Sequence, residues 1–479
     1  MNYQTGSEIT IQIKAKFRKH YDVIVCGGGT AGCIAAIAAA RNGAKTLLIE
    51  RSGTPGGMMT TGNAGLTKFI VHNRDVEQYK DILKELETSP QKVQVAGGLP
   101  LELANRLIKE GAAVGTAHTA GSYVFTSKLK FKWLLLDMFE KANVSLLFFS
   151  SVVDVLMENN EIKGVIVQNK AGHEIYTAGC VIDATGDGDV AALAGVPFVM
   201  GVSENDLAAK CCAAIGSMQD MGVLFRIANI DIEMFLDYLE KAPEKYEIQC
   251  FGLLTLEQVR KSHKNNEMFV FNIKVNEEFG EVQFYNTPEK GVFIIGCPCI
   301  TGNGLDADEL TRCEIGVNKI VSRMFDALKQ LQGLENAFIV DCPDLCVRET
   351  RHIMGEYILT SDDILNNVHF EDCIGRGCHP IDISPIPPET LEYPIGDRWS
   401  FQIPYRCIVP QKVENLLIAG RCISADREAS GSTRTTVQCM VTGQAAGTAA
   451  ALCVKENVTP RKLDSKKIVN VLLEQGAVL

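Results

Sequence analysis

Hydrophobic positions in this chain gather into short runs separated by glycine-rich turns, and the runs themselves predict the elements. From Tyr21 the apolar stretch "YDVIVC" stops at Gly27; a run of small residues follows, and a second apolar run, "KTLLIE", ends at Glu50. Such runs predict buried strands, and the alanines from Ala35 to Ala40 predict a helix between them, so this segment reads strand, helix, strand. Further on, "LLFFSSVVDVLMENNEIKGVIVQNKAGHEIYTAGCVIDATG" alternates between Val152 and Val181, with turns at Asn159 and Gly172, which predicts a small antiparallel sheet. Its end, "VIDATGDGDVAALAG", gives a short strand, a turn and an alanine-rich helix. The block "ENLLIAGRCISADREASGSTRTTVQCMVTGQAAGTAAALCV" gives a strand from Leu416 to Ala419, a turn at Gly420 and a small-residue helix after Gly443. Residues 201–400 mix helical patterns with alternation at "GEVQFYNTP" and "GVFIIGCP", and the proline-rich "PIDISPIPPETLEYPIGDRW" predicts a loop. The opening "MNYQTGSEITIQIKAKF" alternates like a strand.

The glycines after the first strand have separate tasks. Gly27 allows a tight exit from the strand, Gly29 lets the backbone approach a pyrophosphate, and Gly32 lets the helix pack on the sheet. A helix beginning near Thr30, with Ala31 in its first turn, aims unpaired N–H groups and a positive dipole end at phosphate. Glu50 falls where a carboxylate accepts hydrogen bonds from a ribose, and its charge disfavours a ribose phosphate. After it, "RSGTPGGMMTTGNAG" replaces the further helix expected of an NAD domain with a glycine-rich loop. Arg51, Gly56, Gly57, Met58, Met59, Thr60 and Thr61 lie on that loop, whose N–H groups and hydroxyls suit the longer FAD.

At these residues the chain resembles the bacterial FAD-dependent oxidoreductase family, within the glutathione-reductase-like, two-dinucleotide-fold flavoproteins. The resemblance runs from Tyr21 to about Asp464. It rests on "ERSGTPGGMMTTG", "VIDATGDGDVAALAGVPF", "VRETRHIMGEYILTSDDIL", "IPYRCIVPQKVENLLIAGRCIS" and "GSTRTTVQCMVTGQAAGTAAAL", and departs mostly between Ser203 and Lys290. It implies that the first glycine turn and Glu50 hold the ADP half, and that Gly57 to Thr61 lie nearer the flavin. It also implies backbone contacts from Val152 and Val153 to adenine, and closure over the cofactor by Ala184, Thr185, Gly186 and Asp187 and by Gly420 and Arg421. Gly443, Gln444, Ala445 and Ala446 are expected at a helix start that stabilises a reduced flavin. The fold expected is α/β: a discontinuous Rossmann-like FAD-binding domain (residues 1–200 and 401–479) with an inserted α+β substrate or cap domain (residues 201–400).

At 479 residues, 46% of them hydrophobic, the chain has material for a large core and two or three domains. The net charge of −11 and the lack of a long basic run argue against nucleic acid; "KAKFRKH" reads as a solvated segment. No signal-peptide pattern is seen, and the apolar runs read as too short and alanine-rich to span a membrane, which points to a cytoplasmic protein with no membrane partner. Self-association is left open. The seventeen cysteines do not form a secretory framework. Cys297 with Cys299, Cys342 with Cys346, and Cys373 with Cys378 lack CxxC spacing, so they read as buried or semi-buried thiols and no metal site is expected.

Because flavin carries the electron transfer, few side chains are needed for chemistry. Arg348 and Arg351 share a face if "VRETRHIMGEY" is helical, with Glu349 and His352 on an adjacent one. Arg434 precedes the helix expected to face the flavin, where it suits a carboxylate or enolate oxygen, and His379 suits an acid or base. For the arginines, ion pairing between domains is the competing reading, and for the lone His379 a structural role is the favoured one. Three functions compete: an FAD enzyme acting on a small polar metabolite, which the pattern favours; a flavin electron-transfer subunit feeding a partner protein; and a flavin-dependent tRNA-modifying protein, which the acidic balance disfavours.

Overall fold

The computed structural model describes residues 12–71, 85, 88–89, 93–115, 123–204, 206, 214–247, 255–296, 298–384 and 399–479. Most of the proline-rich stretch, the first eleven residues of the alternating N-terminal segment, and Cys297 lie outside them.

The first unit is β1 (Ala15–Cys26), α1 (Thr30–Arg41) and β2 (Thr46–Ile49), followed by β3 (Ser145–Leu147), β4 (Ser151–Glu158), β5 (Glu161–Asn169) and β6 (Gly172–Asp183). β3, β2, β1 and β6 lie side by side and all run parallel. The antiparallel strands β4 and β5 continue the same sheet from the first half of β6, turning at Asn159 (φ +56) and Gly172 (φ +102). They are therefore an extension of the parallel sheet rather than a separate one. β1 begins earlier than the apolar run because its outer half pairs with β6 from Ala15 opposite His173. The basic segment Lys16 to His20 is the exposed part of that strand, and Arg18 there meets Glu174 at 3.2 Å.

Residues 225–341 carry a second sheet, wholly antiparallel. Its strands are β7 (Phe225–Ala228), β8 (Tyr246–Glu247), β9 (Val270–Lys274), β10 (Glu281–Asn286), β11 (Val292–Gly296) and β12 (Phe338–Asp341), in the order β8-β9-β10-β11-β7-β12. Against it packs α2 (Ala307–Leu328), whose buried Cys313, Val317, Val321, Met324 and Leu328 recur at helical spacing. Phe225, Phe235, Phe271, Phe284 and Phe293 fill this core, with the Phe271 and Phe284 rings stacked 5.2 Å apart. Each such ring contributes roughly 1.5–3 kcal/mol by leaving water. From Leu359 to Ile374 the chain rejoins the core built on α1.

The C-terminal block closes the first sheet. β13 (Leu416–Ile418) pairs parallel with the last three residues of β6. After α3 (Arg427–Thr433), the long α4 (Thr436–Glu456) crosses α1. Glycines set that crossing: a Cβ on Gly443 would stand 2.3 Å from the Ala31 carbonyl oxygen, and one on Gly447 2.2 Å from that of Ala35. By length and composition α4 could span a membrane, contrary to the sequence reading of the apolar runs, but 89% of its apolar window is buried inside the fold. Cys26, Cys33, Cys180, Cys422, Cys439 and Cys453 are buried free thiols, whereas Cys342 is half-buried.

Candidate functional site

The turn from Gly27 to Gly32 joins β1 to α1. Gly27 has φ +95, and a Cβ there would stand 2.5 Å from the Ala184 carbonyl oxygen; a Cβ on Gly32 would stand 1.8 Å from that of Gly27. Gly29 differs. Its φ is −74 and, among the described residues, nothing lies within 4 Å of where its Cβ would be, so none of these neighbours demands a glycine. That leaves room for a ligand beside the backbone. There α1 starts without a side-chain cap and without an acidic residue in its first turn, leaving its positive end to an anion. Thr30, Ala31 and Gly32 form that turn.

Glu50 ends β2 beside it. Its Oε2 accepts the Gly28 N–H and its Oε1 the Ser52 N–H, both at 2.7 Å. The carboxylate is thereby fixed, with lone pairs left for ribose hydroxyls. Arg51 is exposed. The following loop folds back on the turn: Gly56 N–H donates to Gly28 O at 2.8 Å, Thr30 Oγ1 donates to Gly56 O at 3.3 Å, and a Cβ on Gly57 would lie 3.0 Å from Gly29 Cα. A short helical turn over Gly57–Met59 follows, with the Thr60 and Thr61 N–H groups both donating to Gly57 O. Met59 is buried and Met58 half-buried. The loop then reaches Asn63, whose Nδ2 donates to Leu224 O at 2.5 Å and to Asp341 Oδ1 at 3.0 Å, touching the second sheet.

Val152 and Val153 start β4, which lies close to Glu50 because Ser150 N–H donates to Glu50 O at 3.1 Å. Ala184 N–H donates to Cys26 O at 2.8 Å, bringing the end of β6 against the glycine turn. Asp183 is wholly buried; burial pushes its carboxyl up to about 6, against hydrogen bonds from Ala191 and Thr185. Past Gly186, Asp187 Oδ1 accepts from Thr350 Oγ1 at 2.8 Å and from Arg421 Nη2 at 2.5 Å. Gly420 turns at φ +89 with its would-be Cβ 2.9 Å from Ala31 Cβ.

Gly443 to Ala446 are not at a helix start. α4 begins at Thr436, so these residues lie well inside it, where Gly443 packs on α1, Gln444 Oε1 accepts the Leu99 N–H at 2.9 Å, and Ala445 and Ala446 are buried. The helix start belongs to Thr436 and Val437, and Thr436 Oγ1 donates to Gly65 O at 2.8 Å, joining it to the loop from the glycine turn.

Arg348 and Arg351 do not share a helix face, because Arg351–Ile353 is a strand paired with Phe198–Met200. Arg351 Nη1 donates to Asp187 O at 3.0 Å and to Asp189 Oδ1 at 2.9 Å. Arg348 turns the other way, its Nη2 3.7 Å from Cys299 Sγ and its charge felt by Arg434 and Asp382. Glu349 and His352 do meet, at 3.3 Å, and Glu349 also accepts from Gln219 N–H at 2.9 Å and Arg427 Nε at 3.2 Å. Burial opposes ionisation of Glu349, but these partners hold its carboxyl below the usual range.

Arg434, Arg348 and His379 gather around Asp382. Arg434 Nη2 donates to Asp382 O at 2.7 Å, to Asp382 Oδ2 at 3.1 Å and to Gln219 Oε1 at 3.3 Å. Burial pushes His379 down to about 4; the charges of Lys68 and Arg434 add to this and Asp382 opposes it. The ring is therefore neutral near pH 7, and since Nδ1 lies 2.7 Å from Pro380 O, Nδ1 carries the proton and Nε2 the lone pair. Burial likewise lowers the Arg434 pKa, although 12% of its side chain is accessible and 54% of that of Asp382. Sequence reasoning missed Asp382, Gln219, Arg427 and Lys68. The one available signal was a lysine inside the apolar "LTKFIV": Lys68 is 2% exposed, has φ +72, and burial pushes it down to about 8.

A cavity of about 590 Å³ elsewhere is lined by Arg406, Asp372, Arg461 and Glu356, among others, with Arg406 bound to Asp372 at 2.9 Å and Arg461 bound to Glu356. It shares no residue with the sites above. Among the described residues no three His, Cys, Asp or Glu side chains gather to hold a metal.

Compared with known proteins, residues 22–472 match the family model described as FAD dependent oxidoreductase. The chain belongs to this family. FAD is its cofactor, in accord with the open volume at Gly29, the uncapped start of α1 and the fixed Glu50 carboxylate. This family member is similar to the NADH:fumarate oxidoreductase of Klebsiella pneumoniae (strain 342), with 28% identity over 35% of this chain and 20% of that protein. It is also similar to the digeranylgeranylglycerophospholipid reductase of Thermoplasma acidophilum, with 27% identity over 44% of this chain and 48% of that protein. The match thus spans less than half the length of either relative. Among solved structures, a geranylgeranyl bacteriochlorophyll reductase-like protein from Thermoplasma acidophilum aligns with a TM-score of 0.45 and 15% identity, over 96% of this chain and 84% of that one. The myxobacterial chondrochloren halogenase aligns with a TM-score of 0.47 and 13% identity, over 95% and 78%.

Proposed function

We propose that the protein uses FAD to oxidise or reduce a small polar metabolite bearing an anionic or carbonyl group, held against the cluster of Arg434, Asp382 and His379. One observation carries this reading: Thr436 Oγ1 bonds Gly65 O. That contact makes a continuous path from Glu50 and Gly29, along the loop through Gly57, to the helix start two residues past Arg434. FAD, when bound, supplies the hydride or electron transfer. The chain's own residues orient and polarise. Arg434 offers a planar donor to a carboxylate or carbonyl oxygen, Asp382 fixes the guanidinium, and His379 Nε2 accepts a hydrogen bond or a proton from the substrate.

The names of two relatives support the chemistry: both are reductases or oxidoreductases, and fumarate, named for one, is a dicarboxylate. No observation favours the electron-transfer subunit. The finer affiliation to glutathione-reductase-like flavoproteins is part of the same proposal, supported by the parallel sheet with its antiparallel extension. So are the cytoplasmic location, supported by buried free thiols, and the division into a cofactor domain (1–200 and 401–479) and a cap (201–400), whose packed body is residues 225–341. The test is anaerobic titration of the flavin-loaded protein with carboxylates, carbonyl compounds and neutral analogues. Bleaching of the flavin band by an anionic or carbonyl member is expected. Bleaching by a reduced partner protein alone, or by neutral apolar compounds alone, overturns the reading.

A further inference from the structure

Phe149 combines three features that together point to a ligand. Its φ is +53, a left-handed backbone that a bulky aromatic residue adopts only when its surroundings impose it. Its ring is 71% exposed, on a segment otherwise anchored by hydrogen bonds. It also stands at the ribose carboxylate: Phe149 N–H donates to Ser52 O at 3.2 Å and the next residue, Ser150, donates to Glu50 O at 3.1 Å. The ring rests directly on the chain just after Glu50, since a Cβ on Gly53 would lie 2.4 Å from Phe149 Cζ. A residue chosen only to end β3 would not need a largely exposed aromatic side chain on a left-handed backbone.

We propose that Phe149 is the aromatic platform on which the adenine of the cofactor stacks. Phe149 is tied to the loop two residues past Glu50, so a ribose held by that carboxylate would carry its base into the neighbourhood of this ring, and any purine offers a π face to it. Gly53 serves the ring, because a side chain there would lift the platform off the loop. Binding covers the exposed ring, which compensates for holding it in a left-handed backbone.

The inference rests on the cofactor reading, and the experiment separates the two by using ADP as well as FAD. Full-length protein stripped of flavin is titrated with each ligand, for the wild type, Phe149→Gly and Phe149→Trp. Phe149→Gly is expected to weaken FAD and ADP by the same factor, about ten- to a hundredfold, the range for losing one base–aromatic stack. Glycine adopts this backbone freely, so the flavin-free variant should melt no lower than the flavin-free wild type. Phe149→Trp should retain most of the affinity for both. Unchanged affinities in the glycine variant overturn the proposal. So does a tryptophan variant as weak as glycine, or a flavin-free glycine variant that melts well below wild type, which would show the ring bracing the loop. Wild-type protein that binds ADP but is reduced by no metabolite would count against the proposed function and leave the platform standing.

Discussion

Gly29 and Glu50, proposed to serve the same ligand, are tied to the protein in different ways, and substitutions should separate them. Among the described residues nothing lies within 4 Å of the position of a Gly29 Cβ, and its φ of −74 suits any residue. Gly29→Val should therefore fold with nearly wild-type stability while its methyl groups occupy the space beside the helix start. The expected loss is roughly ten- to a hundredfold in FAD affinity, read as flavin retained after dialysis. Glu50→Arg removes an acceptor from two backbone N–H groups as well as from the proposed ribose, so it should lower both flavin retention and the stability of the flavin-free protein, the latter by about 1–3 kcal/mol for each buried donor left unpaired, read by urea unfolding. Full flavin occupancy in either variant would remove the residue from the cofactor site. The turn itself was legible in the sequence because glycine spacing reports backbone geometry directly. Asp382 and Gln219 were not, since nothing local marks them and they reach Arg434 only through the fold.

At the scale of elements, the sequence marks where helices pack better than where they begin. The run of small residues from Gly443 signals the crossing of α4 over α1, and the helix start lies earlier, at Thr436. A valine at Gly447 would press its Cβ to 2.2 Å from the Ala35 carbonyl oxygen, and backbone cannot swing aside as a long side chain can. Gly447→Val should therefore cost about 1–3 kcal/mol or more, read as a lower urea midpoint, with the flavin affinity of the folded fraction less affected. A midpoint equal to wild type would mean that the two helices are not in this close contact. The arginine segment was misread for a related reason. Spacing of three suggested a helix face, but pairing of Arg351–Ile353 with the distant Phe198–Met200 decides the outcome, and strand pairing over that separation leaves no local periodicity. The antiparallel strands β4 to β6 were legible because their alternation and turns are local.

Across the whole molecule, segments far apart in the chain meet at Arg434: it closes α3, holds Asp382 and Gln219, and lowers the pKa of His379. The depressed histidine gives a pH signature. Its folded value, about 4, lies below the unfolded value near 6.5, so its contribution to stability is intact above pH 6.5 and is lost as pH falls toward 4. Wild type should lose on the order of 1 kcal/mol more than His379→Gln between pH 7 and pH 5, measured by urea unfolding; equal losses would mean that His379 is not buried neutral. Buried Asp183, raised to about 6, works in the opposite sense over much of that range, so only the difference between the two proteins isolates the histidine. The same junction decides whether Arg434 serves the substrate or only joins segments. Arg434→Ala removes the planar donor and also the ion pair with Asp382, whereas Asp382→Asn removes the ion pair and keeps the guanidinium. If the arginine orients substrate, Arg434→Ala should retain flavin and slow its reduction by about ten- to a thousandfold, with Arg434→Lys rescuing only partly because a point charge lacks the planar fork. Asp382→Asn should slow reduction far less while lowering the melting temperature as much. Stopped-flow reduction of the three variants by the substrate that bleaches the wild type checks this, and equal slowing by Arg434→Ala and Asp382→Asn would assign the arginine to joining the segments alone.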